Sequence, residues 1–242
     1  MADRVALITG GSGGIGRGVA LRAARDGFAV AVQYHGGADR AQQVVDEIAA
    51  AGGRALSVRA DVGDEEAVLA LFDQVAEELG EVDVVVHTAG IMPLSPIVDT
   101  TAETFDQVFL ANVRGTFLVA REAARRVRAG GSIVLFSTSI TRLQTPSYGV
   151  YAMSKGAVEA LPLILARELA GRDVTVNVVA PGPTDTPLFR EGKPQELIDR
   201  IAGLNPMGRL GTPADIAEVV ASLIGPARWI NGQVLFVNGG AA

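Results

Sequence analysis

The sequence contains no cysteine, so disulfides, thiolate nucleophiles and cysteine-ligated metals are excluded. Its only two histidines, His35 and His87, lie far apart with no ligand spacing around them, which leaves no case for a zinc site. No apolar run reaches the roughly 20 residues a membrane helix needs. Charge is spread thinly: 21 Lys plus Arg stand against 27 Asp plus Glu, a net charge of −6. With no block of like charge there is no electrostatic footprint for nucleic acid. The start, Met1-Ala-Asp-Arg-Val5, carries both signs of charge and leads into a glycine turn rather than a cleavage site, and it predicts a cytoplasmic protein.

What is abundant is apolar surface, at 48% of residues, and glycine, at 29 positions. A substantial core is therefore available, and turns must account for the glycines. Short β-branched runs alternate with helical periods. Strands are expected over Val5 to Thr9, Ala29 to Tyr34, Ala55 to Arg59, Val82 to His87, Ser132 to Phe136, Val174 to Val179 and Val234 to Val237. The early spacing of about 25 residues suits βαβ units and gives a seven-stranded sheet. Val68, Leu71, Phe72, Val75 and Leu79 recur at helical steps and mark one buried face, with Asp64 at the capping position. Long helices are expected over Phe105 to Arg128 and Tyr151 to Leu169. Pro162 should kink the second, at a cost of about 3 kcal/mol in an unadapted helix. No linker, repeat or low-complexity segment divides the chain, so residues 1–242 read as one domain.

Two segments carry chemistry. Thr9-Gly10-Gly11-Ser12-Gly13-Gly14-Ile15-Gly16 follows the first strand and precedes a helix. Gly10, Gly14 and Gly16 there would permit a tight turn and bring a diphosphate against the helix's positive end. Arg17 stands where an ATPase phosphate loop would place lysine, so that reading fails. The second segment is Tyr151-Ala-Met-Ser-Lys155. On one helix, its four-residue spacing puts phenol and ammonium on the same face, and a nearby cation should pull the phenol's pKa down. A dinucleotide grip joined to a proton donor is what hydride transfer to a carbonyl requires.

With these residues in view, the chain resembles the short-chain dehydrogenase/reductase family in its common form of about 250 residues. The resemblance runs from the glycine turn through Asp61-Val62, Ala89-Gly90, Asn112, Tyr151 to Lys155 and Pro181-Gly182 to the ending Gly232-Gln-Val-Leu-Phe-Val-Asn-Gly-Gly240. It implies a doubly wound parallel Rossmann sheet, commonly in a homotetramer, with a small-molecule pocket above the carboxyl ends of the strands. Tyr151 would be the acid–base residue, Lys155 would also hold the nicotinamide ribose, and Asn112 would anchor a relay water and a helix distortion. The family's serine stands thirteen residues before the tyrosine, where this chain has Thr138; Ser139 is the second choice. His87-Thr88 replaces the family's usual Asn-Asn, so an added acid–base role for His87 is weighed against simple support of the strand.

The resemblance also maps the cofactor. Gly10, Ser12, Gly13, Gly14, Ile15 and Gly16 would hold the diphosphate, with Tyr34 and His35 at the ribose and Asp61 and Val62 at the adenine. Ala89, Gly90, Pro181, Gly182, Thr184 and Thr186 complete the set. Tyr34 stands where NAD-preferring members carry an acidic residue, so NADP(H) is favoured over NAD(H), with Arg17 or Arg40 available to a 2′-phosphate. Met92, Pro93, Gln144, Thr145, Tyr148, Pro183, Leu188 and Phe189 match positions bordering the pocket, and a substrate loop is expected at about 184–207, with a mobile lid from Gly192 to Met207. The reactions left open are reduction of a ketone or aldehyde, oxidation of a secondary alcohol or sugar, and reduction of a 3-oxoacyl thioester. A nucleotide sensor that has kept the fold is the non-enzymatic alternative.

Overall fold

The computed structural model describes residues 4–242. Seven parallel strands form one sheet: β1 (Arg4–Thr9), β2 (Phe28–Tyr34), β3 (Ala55–Arg59), β4 (Val82–His87), β5 (Ser132–Phe136), β6 (Thr175–Pro181) and β7 (Val234–Val237). Their order across the sheet is β3-β2-β1-β4-β5-β6-β7. The central strands are apolar on both faces because helices cover both. Val5 and Leu7 enter one core layer with Val68, Leu71 and Phe72, while Ala6 and Ile8 enter the other with Val19, Ala20 and Val44. This is the two-residue alternation of a strand buried on both sides.

Helices α1 (Gly14–Arg25) and α2 (Ala38–Ala50) lie on one face, and α3 (Glu65–Glu78) on the other. Asp64 caps α3 as expected, its carboxylate accepting from the Ala67 amide at 3.1 Å. The helix expected over Phe105 to Arg128 is not continuous. It divides into α4 (Ala102–Phe109) and α5 (Gly115–Arg126), separated by one wide π turn over Leu110–Arg114. Asn112 sits in that turn, and the Thr116 hydroxyl donates to its carbonyl at 2.6 Å. A π turn inserts one extra residue without exposing the helix to water, a feature common at functional sites.

Four-residue α6 (Ile140–Leu143) follows β5, and α7 (Gly149–Glu159) carries both Tyr151 and Lys155. Instead of kinking a long helix, Pro162 begins a separate one, α8 (Pro162–Glu168), at its first position. There the missing amide costs nothing. After β6 come α9 (Pro187–Arg190) and α10 (Gln195–Leu204), and α11 (Pro213–Ile224) packs beside α1. Chain connections leave β1 toward β2 on one side and reach β4 on the other. The crevice above this point of reversal is where open α/β sheets bind ligands.

Candidate active site

The carboxyl ends of β1, β2, β4, β5 and β6 open into one cleft of about 1420 Å³. Apart from Arg17, every residue expected to hold the cofactor lines it, together with Thr138, Ser139, Tyr151 and Lys155. Asn112 does not; it stands behind the wall.

The glycine turn is shaped by contact rather than by flexibility alone. Gly10 has φ 66°, and a Cβ there would press on the Ala89 amide and the Thr88 hydroxyl; one on Gly16 would collide with the Gly10 carbonyl. Gln33, buried near the end of β2, fixes the turn from below: its Oε1 accepts from the Gly10 amide at 2.9 Å and its Nε2 donates to the Ala60 carbonyl at 2.7 Å. Thr88 donates to the Thr9 carbonyl at 2.7 Å from the other side. Gln33 is not among the expected site residues, although a polar residue directly after the apolar run Ala29 to Val32 is the available signal. The N-terminus of α1 at Gly13 has no side-chain cap, so its amides and dipole face the cleft and suit a diphosphate. These features fit a dinucleotide.

At the ribose end, Tyr34, His35 and Arg40 line the cleft. Asp61 folds onto its own loop, accepting from the Gly63 amide at 2.8 Å, and lies 3.8 Å from the His35 ring. The two candidate arginines separate here. Arg17 is bound to both carboxylate oxygens of Glu47, at 2.6 and 2.7 Å, and does not line the cleft. Arg40 does.

The reactive groups meet at the end of β5. Tyr151 and Lys155 occupy one face of α7, with Nζ 5.9 Å from the centre of the phenol ring. Lys155 donates to the Phe136 carbonyl at 2.9 Å, and burial lowers its pKa to about 8. Burial pushes the Tyr151 phenol up to about 12, against a hydrogen bond from Thr138 that lowers it; the neighbouring Tyr148 adds to the rise. The expected net depression by the lysine is therefore corrected. Desolvation dominates, and the ammonium is directed at a backbone carbonyl rather than at the phenol.

Of the two hydroxyl candidates, Thr138 is the one against the phenol. Ser139 is buried and turned away, donating to the Ala180 carbonyl at 3.3 Å and accepting from Asn238 Nδ2 at 3.1 Å. Asn112 works as a bolt: Oδ1 accepts from the Ile91 amide at 2.9 Å, while Nδ2 reaches the Ile91 carbonyl at 2.9 Å and Ser154 Oγ at 3.0 Å. It thus ties the β4 loop to α7. His87 is buried beneath the site, its pKa lowered to about 3 by burial and then by the charge on Lys155. A neutral imidazole there is a support, not an acid at neutral pH.

Met92, Thr145, Tyr148, Pro183, Leu188 and Phe189 line the substrate side of the cleft. Pro93 and Gln144 do not; Gln144 ends α6 in a left-handed conformation, with φ 51°. The loop carrying α9 and α10 is pinned at its base by a bridge from Thr184 to Gly211 and at its far end by Asn205, which donates to the Asn238 carbonyl at 2.8 Å. Among the described residues, no helix is long and apolar enough to cross a membrane.

Comparisons with known proteins agree with this geometry. A family described as enoyl-(acyl carrier protein) reductase matches residues 10–242. A chloroplastic NADPH-dependent aldehyde reductase-like protein of Arabidopsis thaliana is 42% identical, covering 99% of this chain and 94% of its own. The crystal structure of a dehydrogenase/reductase from Sinorhizobium meliloti superposes with a TM-score of 0.94 at 39% identity, over 100% of this chain and 96% of that one. A short-chain dehydrogenase from Burkholderia cenocepacia, solved in complex with NADP, gives 0.93 at 38% identity, over 98% and 97%. With a Rossmann sheet, an uncapped glycine turn and a tyrosine–lysine pair in one cleft, the chain belongs to the short-chain dehydrogenase/reductase family.

Proposed function

We propose that this protein is an NADP(H)-dependent oxidoreductase that reduces the carbonyl of a ketone or aldehyde. The observation that carries the proposal is the half-buried Tyr151 phenol, held protonated beside Thr138 in the cleft that also contains the glycine turn. The Arabidopsis relative's name and the NADP in the Burkholderia structure support the cofactor and the reaction class.

Bound NADPH supplies the hydride. The chain supplies the rest. Tyr151 gives its proton to the carbonyl oxygen as charge develops there, and Thr138 donates a hydrogen bond to the same oxygen. Lys155 holds the nicotinamide ribose and steadies the phenolate left behind, anchored meanwhile on the Phe136 carbonyl. Asn112 keeps the Ile91 loop fixed against α7. Its carbonyl, already accepting from Thr116, retains a second lone pair for a relay water. Gly10 to Gly16 cradle the diphosphate, and Arg40 with Tyr34 receives the 2′-phosphate. The mostly apolar lining from Met92, Pro183, Leu188 and Phe189 suits an uncharged, ring-bearing carbonyl compound over a polyanion.

The reading extends to organisation: residues 1–242 form one nucleotide-binding Rossmann domain with a substrate loop at about 184–207. The protein is assigned to the cytoplasm and to a homotetramer. Exposed Phe117 on α5, Met153 on α7 and Leu163 and Ile164 on α8 support apolar contacts between copies through the expected helices. Mass by light scattering across a concentration series tests the assembly; a persistent monomer defeats it.

The function is tested by following nicotinamide absorbance with NADPH and NADH against ketones, aldehydes, 3-oxoacyl thioesters and 2-enoyl thioesters. Turnover of ketones or aldehydes with NADPH is expected. Turnover confined to thioesters would replace the substrate class, and cofactor binding without turnover across the panel would favour a nucleotide sensor.

A further inference from the structure

One turn beyond Lys155, on the face of α7 that carries Tyr151, stands Glu159. The three residues are spaced by four and so lie in one row along the helix. Glu159 Oε1 accepts hydrogen bonds from two hydroxyls of the segment after β5, Ser137 Oγ at 2.6 Å and Thr141 Oγ1 at 2.8 Å. The Ser137 distance is that of a charge-assisted O–H···O⁻ bond, and the Thr141 distance that of an ordinary hydroxyl bond. Longer contacts of the same hydroxyls, from Ser137 to the Lys155 carbonyl at 3.4 Å and from Thr141 to the Thr138 carbonyl at 3.0 Å, bind the segment to α7 and to itself.

Thr138 lies between the two clamped residues. The same segment is held at its start by Lys155 Nζ on the Phe136 carbonyl. Phe136, Ser137 and Thr141 are therefore all fastened to α7, by two side chains of that helix. Thr138 makes no comparable side-chain anchor of its own: its hydroxyl accepts from the Ile140 amide at 3.3 Å and is otherwise directed to Tyr151. Its distance to the phenol is consequently set by its neighbours.

We infer that Glu159 is a positioning residue for the proton-donating pair: by clamping Ser137 and Thr141 it fixes the Thr138 hydroxyl against Tyr151. The role rests on the reductase reading for its consequence in turnover, while the positioning itself is readable without turnover. Glutamine preserves an acceptor oxygen at this site, whereas alanine leaves both hydroxyls without it. Groups acting through one another give non-additive effects.

The test uses full-length protein labelled with ¹³C at the tyrosine Cζ, a nucleus sensitive to hydrogen bonding at the phenol oxygen. The Tyr151 resonance is identified by its loss in Tyr151→Phe. Thr138→Val should shift it, Glu159→Ala should shift it in the same direction, and Glu159→Gln should leave it near its wild-type position. Adding Glu159→Ala to Thr138→Val should move it no further. With the preferred carbonyl substrate, Glu159→Ala should lower kcat by about tenfold, a partial loss of the roughly 10²–10⁴-fold that acid–base assistance contributes, at unchanged NADPH affinity. A Tyr151 resonance unmoved by Glu159→Ala, or moved equally far in the Thr138→Val background, overturns the inference. If Glu159→Ala does not fold, Ser137→Ala combined with Thr141→Val removes the same two bonds and must give the same resonance shift. Absence of wild-type turnover would sink the reductase reading and leave the resonance test standing.

Discussion

Thr9 Oγ1 and His87 Nδ1 lie 2.8 Å apart, joining the ends of β1 and β4 directly below the glycine turn. The other ring nitrogen of His87 is buried without a hydrogen-bond partner among the described residues. Either tautomer therefore leaves one polar atom unsatisfied, and a proton added there would face both burial and the charge on Lys155. The folded pKa of about 3 lies below the ordinary value of 6.5. Unfolded chains take up this proton first as pH falls, so stability attached to His87 is full above about 6.5 and is lost progressively toward 3. His87→Asn should lose less stability than wild type on acidification within this window, measured by urea unfolding at two pH values. Equal losses would reject the assignment.

Lys155 gives the opposite end of the pH scale. Its folded pKa, about 8, lies below its ordinary 10.5. The buried ammonium is thus a destabilising presence below pH 8 that is relieved as pH rises from there to 10.5. Carbonyl reduction should decline as pH passes through about 8, while Tyr151, near 12, still holds its proton. A pH profile of kcat checks this. A profile level across the alkaline range would show that the charge on Lys155 is not used.

The hydroxyl pair separates catalysis from support. Thr138→Val should reduce kcat by about tenfold or more while leaving the melting temperature nearly unchanged, since the hydroxyl faces the reacting oxygen. Ser139→Ala should instead cost about 1 kcal/mol of stability, the typical worth of a buried hydrogen bond, because its hydroxyl serves Ala180 and Asn238. Paired kinetic and thermal measurements decide; the reverse pattern would transfer the role to Ser139.

Cofactor choice tests the two arginines. Arg40→Ala should raise the KM for NADPH by about tenfold or more, within the 1.5–3 kcal/mol typical of hydrogen bonds to charged groups, with little change for NADH. Arg17→Ala should alter neither much, because its exposed pairing with Glu47 already occupies it. Tyr34→Asp should weaken NADPH relative to NADH by placing a carboxylate against the 2′-phosphate. An unchanged ratio of the two kcat/KM values in Arg40→Ala and Tyr34→Asp would move the 2′-phosphate elsewhere.

Much of this was legible in one sequence because strands buried on both faces leave uninterrupted apolar runs, and because glycine turns are local. All seven strands lie within two residues of their expected bounds. What escaped was nonlocal or depended on a single inserted residue. The apolar period of Leu110 to Arg114 does not announce a π turn, and the helix distortion expected at Asn112 comes from the family resemblance alone; its geometry accompanies the bonds from Asn112 to Ile91 and Ser154, residues distant in sequence. The same holds for Glu159, whose partners Ser137 and Thr141 belong to another element. The kink expected at Pro162 is instead a helix boundary, because period alone cannot separate a bent helix from two helices in succession. The lysine's influence on Tyr151 is illegible for a related reason: spacing gives a shared face, but only the folded chain shows that the ammonium is directed at Phe136.

The central claim is that Tyr151 is the proton donor in hydride transfer from NADPH to a carbonyl. Tyr151→Phe removes one hydroxyl and keeps the ring, so kcat and the NADPH dissociation constant, measured on the same preparation, isolate that role most directly. The account predicts a fall in kcat of about 10²-fold or more with NADPH affinity essentially retained. Turnover close to wild type in the phenylalanine variant would contradict it.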